Sequence, residues 1–164
     1  MRDSIAHSGF ADQVTLGTFE VGGRVIAIDV SYVREVVRWQ PVTPLPKAPA
    51  LIEGVVDLRG AVVPVVDLCR ALNGSPLEFS SQTRVVVTEI DGLVVGFGVD
   101  AAIEVLQVDA TSMEDPPPLA TQAGYDAARA VVRRSDSEPI VVLSLEHLLE
   151  SVYRSALSEQ EDAA

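Results

Sequence analysis

GVVDLRGAVVPVVDL, residues 54–68, decides the fold. Two valine-rich runs of strand character are interrupted only by Arg59-Gly60, so the stretch reads as a hairpin on a two-residue turn. Arginine is an odd choice there, because asparagine-glycine or aspartate-glycine turns more readily. Two readings stand side by side. One is a solvated arginine in an arbitrary turn; the other is a fixed donor fork aimed at a carboxylate, in the chain or on a partner. Glu35 is the internal candidate, since it sits among Val33, Val36 and Val37, where a carboxylate wants a cation.

Outward from this hairpin, strands and turns alternate. VTLGTFEV (14–21) and RVIAIDV (24–30) flank Gly22-Gly23, which supplies the positive φ of a tight turn. SYVREVVRW (31–39) fits either a short helix capped by Ser31 or a strand. QPVTPLPKAP (40–49) carries four prolines and reads as an extended connector. ALIEG (50–54) reads as one helical turn closed by Gly54, and DLCRALNG (67–74) as a short amphipathic helix ended by Asn73-Gly74. After a loop over 75–82, TRVVVTEIDGLVVGFGVD (83–100) is a second hairpin turning on Asp91-Gly92. AIEVLQV (102–108) is a further strand, and 109–124 an acidic, proline-rich loop. YDAARAVVRRSDSEPIVVLSL (125–145) is a third hairpin. A closing helix is expected over 144–158, with Leu145, Leu148, Leu149 and Val152 on one face. Residues 1–13 are expected to be a loose arm and 159–164 a frayed acidic end.

The order of features repeats. A hairpin, an apolar-Asp pair (Ile28-Asp29) and Glu35-Val36-Val37 in the first half return as a hairpin, Val99-Asp100 and Glu104-Val105-Leu106 in the second. PVVDLCRAL (64–72) then matches PIVVLSLEHLL (139–149). Two similar halves of short strands imply an all-β chain of two small barrels side by side, at roughly 14–75 and 76–145, inside one domain over 14–157.

Composition narrows the function. With 24 acidic against 12 basic residues the net charge is −12, which repels nucleic acid and anionic membrane surfaces. A single cysteine, Cys69, fits a reducing compartment and a buried small hydrophobe. Charges, glycines and prolines break every apolar stretch short of the about 20 residues a membrane span needs, and residues 1–13 do not form a signal peptide, so an intracellular protein is expected. His7 and His147 lack partners at metal-ligand spacing. The glycines of 96–98 lie mid-strand, where they mark close backbone approach rather than a phosphate cradle. Asp57 and Asp67 flank the hairpin, but strand ends point them at turn backbone rather than at acid–base work. No metal, cofactor or enzymatic activity is expected.

APALIEGVVDLRGAVVPVVDL (48–68) resembles the signature of the chemotaxis coupling protein CheW and of the CheW-like regulatory domain of the kinase CheA. TFEVGGRVIAIDVSYVREVV (18–37), LVVGFGVDAAIEVLQV (93–108) and EPIVVLSLEHLL (138–149) are similar to three further family segments in the same order. The resemblance implies two intertwined five-stranded SH3-like barrels, with short helices and a C-terminal helix, acting as a non-enzymatic adaptor. Such adaptors couple the cytoplasmic helical tip of a methyl-accepting chemoreceptor to the regulatory domain of a CheA-type histidine kinase. They alternate with that domain in rings beneath membrane receptor arrays. Carried over by position, the receptor groove involves Val33, Val36, Gly54, Val99 and Ala101 with Ile103 and Val105, while Glu35 and Arg59 pair at its border. The chain departs from the pattern at Asp57, where the family has asparagine, at Ala101, where it has glycine, and at Cys69, which displaces an arginine to Arg70. Asp57 is thus a competing partner for Arg59. Two alternatives remain open: an adaptor for a kinase pathway other than chemotaxis, and a β-barrel that binds a small molecule between its halves.

Overall fold

The computed structural model describes residues 12–117 and 127–152. Eleven strands occur there: β1 (Gln13–Val21), β2 (Arg24–Asp29), β3 (Val33–Arg38), β4 (Ile52–Leu58), β5 (Ala61–Asp67), β6 (Arg84–Ile90), β7 (Leu93–Val99), β8 (Ala101–Asp109), β9 (Met113–Glu114), β10 (Ala128–Arg134) and β11 (Ser137–Leu143). The hairpins turn where the turn chemistry placed them. Gly22-Gly23, Arg59-Gly60 and Asp91-Gly92 all take positive φ, as a two-residue turn matched to strand twist demands.

The strands form two sheets, ordered β8-β1-β2-β11-β10-β9 and β3-β6-β7-β5-β4. Each sheet takes its opening hairpin from one repeat and its other long strands from the other repeat. The division at residues 75/76 is therefore corrected: one sheet draws on residues 13–29 and 101–143, the other on 33–99. The reason is non-local pairing. β8 finds its partner in β1, from Gln13↔Asp109 to Glu20↔Ala101, and β3 finds its own in β6. The repeat extends to fine detail. Both edge pairings carry a bulge, at Arg34 and Ile103, and both barrels contain one parallel contact, β5 with β7 and β11 with β2. One sheet has a sixth strand, the two-residue β9; the isolated bridge Thr43↔Val55 stands in its place in the five-stranded sheet.

Three apolar clusters follow. Leu16, Ala27, Val132, Ile140 and Val142 fill one barrel, and Val56, Val63, Val65, Val85 and Val87 fill the other. Between them lies the largest cluster, with Phe19, Ile28, Val86, Phe97, Leu143 and Leu145. Successive residues of one strand thus enter different cores: Val85 and Val87 point into the barrel and Val86 into the shared core. That is why the strands read as continuous apolar runs rather than alternating ones.

Three local expectations are revised. ALIEG is not a helical turn: Ile52 already pairs with Val66, and Gly54 sits at a bulge with φ +151°. Residues 30–32 form one 3-10 turn capped by the Asp29 side chain, which accepts the Ser31 N–H at 2.9 Å, and a strand follows. The 109–124 loop begins with another such turn, Ala110–Ser112, and then β9. The short helix Leu68–Asn73 ends on Gly74 in the left-handed conformation, as the sequence indicated. The closing helix runs from 145 to the last described residue, 152. The arm over 1–11, residues 118–126 and everything after 152 lie outside the described residues.

Candidate partner-docking site

Arg59 reaches its carboxylate inside the chain. Its Nη2 donates to both carboxylate oxygens of Glu35. Asp57, the competing partner, is occupied by the turn, where its Oδ1 accepts the Gly60 N–H at 2.9 Å. Arg59 adopts φ +54°, which disfavours a side-chain-bearing residue by roughly 1–2 kcal/mol. The position therefore trades turn quality for a guanidinium at that point. Since β3 and β4 are the first and last strands of their sheet, the pair ties its two edges together as a clasp.

A second clasp, which the sequence reading missed, occupies the equivalent place in the other barrel. Arg134, at the β10–β11 tip, pairs with Glu104 of β8 at 3.6 Å. The signal was present in the repeat. Each arginine stands five residues before the proline of its return strand, Pro64 or Pro139, and each glutamate opens its Glu-Val pair.

Apolar side chains stand out beside these clasps. Val36 on β3 is 40% exposed, and on β8 Ile103 and Val105 are 48% and 67% exposed. Val62, at 68%, borders a recess of about 590 Å³ that also involves Glu35, Arg59, Leu58 and Val94. The position-by-position groove is revised in two places. Val99 is fully buried, and Gly54 is buried with its Cα facing the Thr43 carbonyl, so neither offers a surface to a partner. Val33 packs partly against the shared core, and Ala101 is half-buried. The exposed large apolar residues of these two edge strands are Val36 on β3 and Ile103 and Val105 on β8. β3 and β8 both start where the chain crosses between barrels. That crossing is fixed by Asp100, whose N–H donates to the Glu20 carbonyl and whose carboxylate accepts the Gly22 N–H at 2.7 Å.

The other titratable groups are structural. Asp67 is buried and accepts backbone N–H groups from Arg70 at 3.0 Å and Leu77 at 2.9 Å, anchoring the short helix and the loop behind it. Cys69 is buried, and burial pushes its thiol upward, away from the reactive thiolate. His147 bonds Ser144 Oγ at the start of the closing helix, while His7 lies outside the described residues. Among the described residues no three His, Cys, Asp or Glu side chains are grouped to hold a metal, and no helix is long and apolar enough to cross a membrane.

The carboxylate facing Asp67 is Glu53, not Asp57. Burial pushes the Glu53 carboxyl above its ordinary value, and the Asp67 charge adds to the shift. A carboxyl raised in the fold stabilises it below the ordinary glutamate value and loses that contribution as pH rises through the folded value. Glu53→Gln is therefore expected to stabilise the protein at about pH 7 and to leave it unchanged near pH 3.5. Urea unfolding at the two pH values checks this; equal effects at both would contradict it.

Two SH3-like barrels, exchanged strand for strand and clasped at both tips, define a duplicated double-barrel protein. The chain matches the CheW-like domain family over residues 15–153. It is 33% identical over 138 residues to the chemotaxis protein CheW of Rhizobium meliloti, covering 84% of this chain and 88% of that one. It is 31% identical over 141 residues to Protein FrzA of Myxococcus xanthus, covering 85% and 88%. The crystal structure of the scaffolding protein TtCheW from Thermoanaerobacter tengcongensis is similar, with a TM-score of 0.75 and 30% identity, covering 84% and 92%. This chain belongs to the CheW-like domain family.

Proposed function

We propose that this protein is a non-enzymatic chemotaxis adaptor that couples the cytoplasmic helical tip of a chemoreceptor to the regulatory domain of a CheA-type histidine kinase. It works in the cytoplasm and is recruited to receptor arrays at the membrane. The observation that carries this reading is the exposed apolar side chains on the two edge strands, Val36 on β3 next to Glu35 of one clasp and Ile103 and Val105 on β8 flanking Glu104 of the other. An apolar stripe on a receptor helix would be desolvated against these side chains, with Ala101 leaving room for close approach and Val33 supporting it from beneath. A few such buried anchors carry most of the energy of an interface. The two clasped barrel tips offer the kinase-type domain its contacts.

Binding to a CheA-type regulatory domain tests the reading: no association at about 100 µM, where weak signalling contacts still register, would reject it. Arg59→Ala is expected to weaken kinase activation while changing stability by less than about 1 kcal/mol, because the guanidinium is largely exposed. Full activation by that variant would remove Arg59 from the site. The second reading is the same adaptor role in a different kinase pathway; that the similarity to FrzA spans as much of the chain as that to the chemotaxis protein CheW favours it only weakly. Whether a receptor gene or another sensor lies beside the gene for this chain separates the two.

A further inference from the structure

Acidic residues outnumber basic ones two to one in this chain, 24 against 12, and five described arginines have found one. Arg34, Arg59, Arg129, Arg133 and Arg134 pair with Glu89, Glu35, Asp29, Glu114 and Glu104. Among the strand arginines Arg24, Arg38 and Arg84 depart from this, and Arg38 and Arg84 stand together. They are direct cross-strand partners on β3 and β6, and among the described residues neither has a carboxylate within ion-pair distance. Like charges placed opposite one another destabilise a sheet. The fold does not require them. In the other barrel the register that sets Glu104 against Thr18 sets Gln107 against Thr15, where the first barrel has Arg38 against Arg84. The repeat thus holds a neutral version of the same position.

The two arginines are set in a formed recess. Arg84 Nη1 donates to the Ser81 and Thr83 carbonyls at 2.9 Å, which fixes its guanidinium. Trp39 donates its backbone N–H to the same Thr83 carbonyl and lays its ring over Gly98, where a Cβ would come within 2.9 Å of it. Phe79 packs on Trp39 with centroids 4.7 Å apart, yet remains 61% exposed. Arg38, Trp39, Ser80, Ser81, Thr83 and Arg84 line a cavity of about 390 Å³ beside that aromatic shelf.

We propose that this end of β3 and β6 docks an acidic segment of a partner protein, in which two carboxylates flank an apolar side chain. The carboxylates neutralise Arg38 and Arg84, and the apolar side chain covers Phe79. Charge complementarity selects this occupant. Two guanidiniums dominate at contact, but beyond a Debye length of about 8 Å the net charge of −12 repels extended polyanions. A short acidic protein segment meets the first field without the second. Arg38 stands two residues from Val36 on the same face of β3, so this surface adjoins the proposed receptor site, and it is tested by peptide binding at Trp39 rather than by receptor binding so that the two readings fail separately.

Trp39 is the only tryptophan, which makes its emission a local reporter. The intact protein is titrated with the capped peptide Gly-Glu-Leu-Glu-Gly, its Gly-Gln-Leu-Gln-Gly analogue, and inorganic phosphate. The acidic peptide is expected to give a saturable change with Kd on the order of 1 mM or tighter, and the glutamine analogue to bind at least about tenfold more weakly. Arg38→Glu is expected to abolish that binding while raising the melting temperature by about 1–3 °C, because it replaces a like-charge pair with an opposite one. Arg38→Gln, the milder change, should also lose binding and should not lower the melting temperature. No change in Trp39 emission up to about 5 mM peptide, equal binding of the glutamine analogue, an equal response to phosphate, or undiminished binding by either variant would overturn the proposal.

Discussion

Gly54→Ala is expected to destabilise the protein by about 3–5 kcal/mol and lower its melting temperature by roughly 10 °C. Two independent effects add. At φ +151° the backbone lies where only glycine is comfortable, and a Cβ built there comes within 2.2 Å of the Thr43 carbonyl oxygen and 2.7 Å of Val42 Cγ1. The first contact is with backbone, so no rotamer change relieves it. Thr43 is itself held by reciprocal hydrogen bonds with Val55 at 2.9 and 2.8 Å, and relief would require breaking that bridge. Gly60→Ala is the control: its φ is +87°, but nothing lies within 4 Å, so it should cost only the conformational part, about 1–2 kcal/mol. Thermal and denaturant unfolding of both variants decide the matter. If Gly54→Ala loses no more than Gly60→Ala, the close approach of the connector is not what glycine serves. The same substitution would tilt the β4–β5 hairpin and pull Arg59 off Glu35, so function should fall with stability.

The second large effect is functional. The double variant Ile103→Glu, Val105→Glu is expected to weaken binding of a receptor-tip helix at least 100-fold while leaving unfolding within about 1 kcal/mol of the parent. Both side chains stand largely in solvent, so the folded protein gives up little packing when they change. A docked apolar helix would instead meet two desolvated carboxylates on an already acidic molecule. Unchanged receptor binding with intact folding would remove β8 from the receptor surface. Exposed valine and isoleucine on an edge strand invite aggregation, so the variant should also be the more soluble protein.

Much of this protein is legible in local chemistry. Gly22-Gly23, Arg59-Gly60, Asp91-Gly92 and Gly74 mark positive φ, and they located three hairpin turns and one helix end where the structure has them. Proline spacing and the returning Glu-Val pairs revealed the duplication. The misread segments share a cause. At Gly54 a bulge forced by the approach of Thr43 looks, in one dimension, like a helix end. At Ser31 a valine-rich run that pairs with β6 looks equally like a helix face, because its partner lies about fifty residues away. The clasp is similar: the pattern nominated Glu35 for Arg59, but Asp57 stood closer in sequence, and only the turn hydrogen bond to Gly60 takes Asp57 out of contention.

Turn chemistry, residue spacing and charge thus specified two matching sets of strands and an acidic surface without further information, because those properties act over a few neighbours. The exchange of β3 and β8 between barrels was settled by the folded chain alone. So were the burial of Val99 and Gly54 in place of a groove wall, and the meeting of Arg38 with Arg84. Strand pairing and burial depend on segments far apart along the chain, where many registers satisfy the same local preferences and packing of the shared core selects one.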